Sequence, residues 1–141
     1  MKPRVFLDSN VFVYAFEFRD SNSAMIIDML NDGEIEAFVS GRVLKEVTGY
    51  FRRFHGRKLS GLFRNYLIQS CTIVLGEELR SAMKRLEGSI KDKDLEQLAA
   101  VKALGLRHLV SFDRHFEPFE EYSTPRRLIE SLGMKPRKSE F

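Results

Sequence analysis

Four acidic residues, Asp8, Glu46, Asp94 and Asp113, fall at places along this chain where a parallel α/β fold would gather them at one edge of its sheet. Asp8 closes the apolar run Val5-Phe6-Leu7, and Asp113 closes Leu109-Val110-Ser111-Phe112; each run reads as a short buried strand. If the two strands are parallel, both acids point into the groove outside the strand ends, where open α/β sheets bind ligands. Asp94 opens a predicted helix that starts at the same edge. Carboxylates crowded together repel, and one would stay protonated unless a divalent ion sat between them. Oxygen-rich sites of this kind suit Mg²⁺ or Mn²⁺.

Each acid also has a simpler local reading. Asp8 and Asp113 follow strands, where Asp is a favoured turn or cap residue. Asp94-Leu95-Glu96-Gln97 has the spacing of a capping box. Glu46 lies well inside its helix, so capping is excluded; an exposed pair with Arg42, four residues earlier, is the default there. Yet Glu46 borders the apolar stripe Val43-Val47-Tyr50, which lets it lean over the sheet edge. Taken one at a time the local readings win, and the joint placement reverses that balance.

The elements that must position these residues alternate along the chain. Strands are predicted at about residues 4–8, 35–39, 72–75 and 108–112, with 121–123 as a candidate fifth. Between them come an apolar stretch of helical spacing over 10–18, a helix capped by Ser21 or Ser23 and ended by Asn31-Asp32-Gly33, and a helix from Ser40 through Phe54. Further helices are predicted at 59–70, 77–86 and 94–104, the last stopped by Gly105. Thr124-Pro125 opens a final helix over 126–132. Alternation with short connections predicts an α/β domain: a central parallel sheet of four to five strands with helices on both faces. Residues 1–134 form that single domain, and residues 135–141, Lys-Pro-Arg-Lys-Ser-Glu-Phe, read as a loose basic tail.

With 141 residues there is room for one core and not for two ordinary domains. No apolar run approaches the length that spans a bilayer, and the opening Met-Lys-Pro-Arg-Val-Phe-Leu-Asp is too short in apolar residues for a signal peptide. A cytoplasmic location is expected. Cys71 is the only cysteine, and its apolar neighbours predict a packing role. The net charge of +3 permits nucleic-acid binding without demonstrating it.

The order and surroundings of the acids resemble the PIN-domain ribonucleases, which include VapC-like toxins of toxin–antitoxin pairs. The matching residues are Asp8-Ser9-Asn10, Ser40 followed by Glu46, Lys93-Asp94 leading into Leu98-Ala99-Ala100, and Leu109-Val110-Ser111-Phe112-Asp113 with Phe116 behind it. The resemblance runs from the first strand to the last helix. It implies a PIN-like domain acting as a metal-dependent endoribonuclease on single-stranded RNA, with Asp8, Glu46, Asp94 and Asp113 holding Mg²⁺ or Mn²⁺. It further implies that Asn10 and Ser111 orient these acids or a bound water. Asp94 is preferred over Asp92 because Ala99 stands five residues after Asp94, as the pattern expects; Asp92 is the fallback ligand. An antitoxin protein and a second copy of the chain are the partners the family suggests.

Metal-assisted hydrolysis needs no nucleophilic side chain. His55, His108 and His115 show no paired spacing; His115 lies close enough to Asp113 to touch a substrate phosphate, and a surface residue after a turn is the preferred reading. Residues 41–64 carry a run of basic groups with aromatics interleaved; Arg52, Arg53 and Arg57 are candidate contacts to an RNA backbone or an acidic partner segment. The rival readings are a phosphotransfer module, a PIN-fold binding scaffold without catalysis, and a structure-specific DNA nuclease. No glycine-rich phosphate loop is present, and Asp8-Ser9-Asn10 lacks the second aspartate of an Asp-x-Asp phosphatase.

Overall fold

The computed structural model describes residues 1–141. Its five strands are β1 (Arg4–Leu7), β2 (Glu36–Ser40), β3 (Cys71–Val74), β4 (His108–Val110) and β5 (Tyr122–Ser123). They form one sheet in the order β3-β2-β1-β4-β5, every pair parallel. Parallel neighbours need crossover connections, and seven helices supply and flank them: α1 (Ser9–Glu17), α2 (Asn22–Asn31), α3 (Gly41–His55), α4 (Arg57–Ser70), α5 (Arg80–Leu86), α6 (Leu95–Leu104) and α7 (Pro125–Ser131). The chain leaves β1 towards β2 and β3, then returns to the other side of β1 with β4. That reversal opens a crevice above the ends of β1 and β4, the expected place for a ligand.

Local signals account for most helix boundaries. The Ser40 hydroxyl accepts from Val43 N–H at 3.2 Å and starts α3, and the Thr124 hydroxyl accepts from Arg127 N–H at 3.2 Å and starts α7, with Pro125 in its first turn. Ser21, rather than Ser23, caps α2. Gly105 takes φ +62° and ends α6, while Gly56 at φ +91° lets α3 turn directly into α4 two residues before the predicted start. The helix expected over 77–86 begins instead as a 3₁₀ turn, Gly76–Leu79, before becoming α5.

The core lies on both faces of the sheet. Phe6, Phe12, Phe51 and Phe116 are its largest fully buried side chains. Helix α1, apolar on almost every side, is mostly satisfied within the chain: Val11 and Phe12 are buried, and Phe16 meets the edges of Phe51 and Phe63. Cys71 sits in the same core, and burial pushes its thiol up to about 12, so it is an inert packing group. No helix is long and apolar enough to cross a membrane.

Residues 135–141 are not loose. Asn22, fully buried, accepts from Arg137 N–H at 2.7 Å and donates to the carbonyls of Arg137 and Ser139. The N–H and hydroxyl of Ser23 both donate to the Phe141 carbonyl. Phe141 then stacks on Tyr14 at 4.3 Å and on Phe18 at 4.8 Å. A basic composition says nothing of such partners. The tail is held by two buried polar side chains at the start of α2 and by the aromatic face of α1.

Candidate active site

Strand register sets the site. β1 and β4 pair with Leu7 opposite Val110, so the next residues, Asp8 and Ser111, leave the sheet side by side. Asp8 N–H donates to the Val110 carbonyl at 3.0 Å, which fixes that exit. The Ser111 hydroxyl donates to Asp8 Oδ2 at 2.6 Å, and Ser9 N–H donates to Asp8 Oδ1 at 2.8 Å. Asp8 therefore caps α1 and faces the crevice at once, so its two sequence readings coincide.

Ser111 and Asn10 tie the second acid to the first. Asp113 N–H donates to Ser111 Oγ at 2.9 Å, and Asn10 donates from its amide nitrogen to the same oxygen at 3.3 Å. The Asn10 amide oxygen accepts from Phe112 N–H at 3.3 Å. With Ser111 fully buried, the hydroxyl acts as a hub whose donor and acceptor capacity is used in full. Asp113 also caps a short 3₁₀ turn, Arg114–Phe116, by accepting from His115 N–H at 3.0 Å.

Asp94 departs from its expected local role. It is the last residue of a 3₁₀ turn, Asp92–Asp94, with helical φ and ψ and no capping hydrogen bond to α6. No capping box forms, because Asp94 N–H donates to the Lys91 carbonyl and the carboxylate is aimed elsewhere. Its Oδ2 lies 3.0 Å from His115 Nδ1, and that nitrogen is 2.9 Å from Asp113 Oδ1. His115 is thus no bystander on the surface. Asp94, Asp113 and His115 each offer one ligand atom, all within 4.8 Å of one another. Asp92 is exposed and stands outside this group, while Lys93 reaches Asp113 Oδ2 at 3.8 Å.

Glu46 of α3 is exposed and stands outside the group formed by Asp94, Asp113 and His115, on the rim of the crevice. Its pKa is raised, first by desolvation and then by the charges of Asp8 and Asp94. Asp8, almost fully buried, is also raised, with desolvation the main cause and Asp113 adding to it, against hydrogen bonds from Ser111, Ser9 and Gln97. The expected ion pair between Glu46 and Arg42 does not form; Arg42 contributes only its charge, and its N–H donates to Glu96 at 2.9 Å.

Of the groups around the acids, the sequence reading places His115 near Asp113 but prefers a surface role for it, and it misses Gln97. His115 follows Asp113 by two residues, a spacing that carries no signal by itself. Gln97 stands three residues after Asp94, on the same side of the helix start, and was assigned to the capping box. It is instead buried beside Asp8, with its Oε1 atom lacking any partner. A buried unpaired acceptor next to carboxylates whose charge is disfavoured fits a site completed by a hydrated cation. The donors are mainly hard oxygens, the set that takes Mg²⁺ or Mn²⁺. Arg52, Arg53 and Arg57 lie apart from the acids, exposed at the far end of α3 and the start of α4.

Comparison with known proteins agrees with this architecture. A chain from a toxin–antitoxin complex of Klebsiella pneumoniae superposes with TM-score 0.68 at 16% identity, covering 86% of this chain and 97% of that one. A VapC toxin of Mycobacterium tuberculosis, described as cleaving the sarcin–ricin loop, gives TM-score 0.56 at 15% identity, covering 81% and 93%. At such identities the likeness concerns the fold. The search of curated proteins gives no match. The PIN-domain family model aligns with residues 4–115, a span that begins at β1 and closes on the His115 that meets two of the acids, and the chain therefore belongs to the PIN-domain family.

Proposed function

We propose that this PIN domain is a metal-dependent endoribonuclease that hydrolyses single-stranded RNA and serves as the toxin of a toxin–antitoxin pair. The observation that carries the reading is that Asp94, Asp113 and His115 bring ligand atoms within 4.8 Å of one another, with Asp8 tied to Asp113 through the Ser111 hydroxyl and Glu46 near enough to feel the charges of Asp8 and Asp94. Family membership supports nuclease chemistry, and the similar folds of a chain in a toxin–antitoxin complex and of a VapC toxin support the biological role. The four acids would hold Mg²⁺ or Mn²⁺, which when bound lowers the pKa of its water and offsets charge on the departing oxygen. Water adds to phosphorus, the P–O3′ bond breaks, and the products are a 5′-phosphate and a 3′-hydroxyl.

The chain's own part is to place the acids. Ser111 and Asn10 hold Asp8 and Asp113 in one orientation before any ion arrives, and Gln97 presents an open acceptor beside them. Arg52, Arg53 and Arg57 extend a cationic path away from the acids, about 9 Å along α3 from Glu46 to Arg52, for the RNA backbone or an acidic antitoxin segment. A homodimer and a cytoplasmic location belong to the same proposal.

The test pairs wild type with Asp94→Asn on labelled single-stranded RNA and a DNA flap, in Mn²⁺, in Mg²⁺ and in chelator. Cutting of RNA that needs metal and vanishes in the variant is the expected outcome. Equal cutting by both proteins, or by either in chelator, would defeat the proposal. Ser111→Ala leaves Asp8, Asp113 N–H and the Asn10 amide each short of a partner, and is expected to weaken Mn²⁺ binding about 10–100-fold in a calorimetric titration. Ser111→Thr keeps the hydroxyl and is expected to retain most of the affinity.

A further inference from the structure

A cavity of about 480 Å³ opens directly beside the acidic cluster and shares Asn10 and Glu46 with it. Three aromatic rings line it, Tyr14 of α1, Phe18 just after α1 and Tyr50 of α3, with Ser9 and Val13 beside them. The tail stiffens this wall, because Phe141 stacks on both Tyr14 and Phe18. Glu17 lies between the rings. One of its oxygens, Oε1, accepts from the Tyr50 hydroxyl at 3.0 Å and meets His55 Nε2 at 2.7 Å. The other oxygen has no protein donor. His55, and to a smaller degree Tyr50, hold the carboxyl below the ordinary glutamate range, so it is an ionised acceptor at neutral pH.

An ionised carboxylate anchored on one oxygen and open on the other, among aromatic rings, matches one kind of ligand. Rings stack on the flat face of a base, and a single-stranded base offers its pairing edge for hydrogen bonding. An acceptor selects edges by their donors. Guanine places N1–H and the 2-amino group side by side, whereas uracil flanks its N3–H with two carbonyls, and adenine and cytosine set a ring nitrogen lone pair beside the amino group. Lone pairs facing Glu17 repel it. We propose that this cavity is a nucleobase subsite in which Glu17 selects guanine at the nucleotide next to the bond that is cut. The inference deepens the ribonuclease reading and rests on it for the word "cut", while the binding preference stands by itself.

Two arms separate the two ideas. In the first, the affinity of Asp8→Asn protein for short single-stranded RNA with one central guanosine is measured by fluorescence anisotropy, against the same oligonucleotide with inosine, adenosine or uridine at that place. Inosine lacks only the 2-amino group. A preference for guanosine of about tenfold is expected, falling to within about twofold in Asp8→Asn/Glu17→Gln, since glutamine turns a donor towards the base. In the second, cleavage sites of the wild type and Glu17→Gln are mapped on a mixed-sequence RNA, with the Mn²⁺-induced melting shift recorded for both. Cuts next to guanosine in the wild type, and dispersed cuts in Glu17→Gln with the melting shift intact, are expected. A guanosine preference unchanged by Glu17→Gln, or equal affinity for all four oligonucleotides, overturns the subsite. Displacement of RNA by an arginine-rich peptide together with indifference to the base also overturns it, and assigns the cavity to a protein partner. Guanosine-selective binding without any cleavage keeps the subsite and defeats only the nuclease.

Discussion

Asp8→Asn is expected to abolish metal-dependent RNA cutting, by about 10³-fold or more, and in the same protein to raise the melting temperature measured in chelator. The first effect follows from losing a charged ligand in a site that works by stabilising charge, where several kcal/mol are at stake. The second follows from the sign of the Asp8 shift. Burial, helped by Asp113, raises the Asp8 pKa in the folded protein above its ordinary value of 3.8. Between the unfolded and the raised folded value the native state binds more protons than the unfolded state, so metal-free stability falls as pH rises through that window. Above the raised folded value the whole penalty is present. Asparagine removes the charge while keeping an oxygen for Ser9 N–H or the Ser111 hydroxyl. Melting curves across pH in chelator should coincide at low pH and separate above it, the variant being the more stable. Excess Mn²⁺ should reverse the order: at a hundred times its Kd a ligand adds about 2.7 kcal/mol to the protein that binds it. A variant that melts below the wild type in chelator at pH 7 would show that hydrogen bonds outweigh desolvation at this position.

Phe51→Ala is expected to remove about 3–5 kcal/mol of stability, a large share of the roughly 5–15 kcal/mol that holds a domain of this size. Phe51 is fully buried at the place where three helices meet. Its ring stacks on Phe63 of α4 at 3.9 Å, receives the edge of Phe16 from α1 at 5.0 Å, and touches Tyr50 edge-on. Truncation opens a void among rings that cannot collapse without moving α4. Phe54, three residues on and 59% exposed, is the control; Phe54→Ala should change stability by no more than about 0.5 kcal/mol. Urea unfolding of the pair distinguishes a buried aromatic cluster from a solvated helix face. Since α3 also carries Glu46 and Tyr50, the Phe51 variant should lose Mn²⁺ affinity at temperatures where it is still folded.

Position along α3 separates the surroundings of its polar residues. Well inside it, Glu46 feels the charges of Asp8 and Asp94; one turn later, the Tyr50 hydroxyl donates to Glu17; at its end, Arg52 and Arg53 are exposed. The buried stripe Val43, Val47 and Phe51 fixes which side of the helix faces the core, and so which residues reach the crevice.

How much of this was legible in the chain depends on how far each interaction reaches. Strand runs, the caps at Ser40 and Thr124, and the stop at Gly105 involve neighbours within about one helical turn, so periodicity and residue chemistry determined them. The positions of Asp8 and Asp113 were legible for the same reason: each ends an apolar run, and parallel strands put such ends at one edge. Other features depended on which strands became neighbours. Only the register of Leu7 against Val110 brings Ser111 to Asp8 across a hundred residues of chain, and only the turn after β4 swings His115 onto Asp94. The same limit explains Asp94 and Gln97, which look like a cap and its partner until the approach of Asp8 and His115 gives both side chains other things to bind. It explains the tail as well, whose residues carry no local structure and find theirs on Asn22, Ser23 and the rings of α1. The sequence by itself determined the elements and the presence of acids at their ends, because those depend on short-range pairing and burial. Tertiary structure alone decided which polar groups surround the acids, because that requires the enthalpy of contacts between segments whose meeting no local pattern encodes.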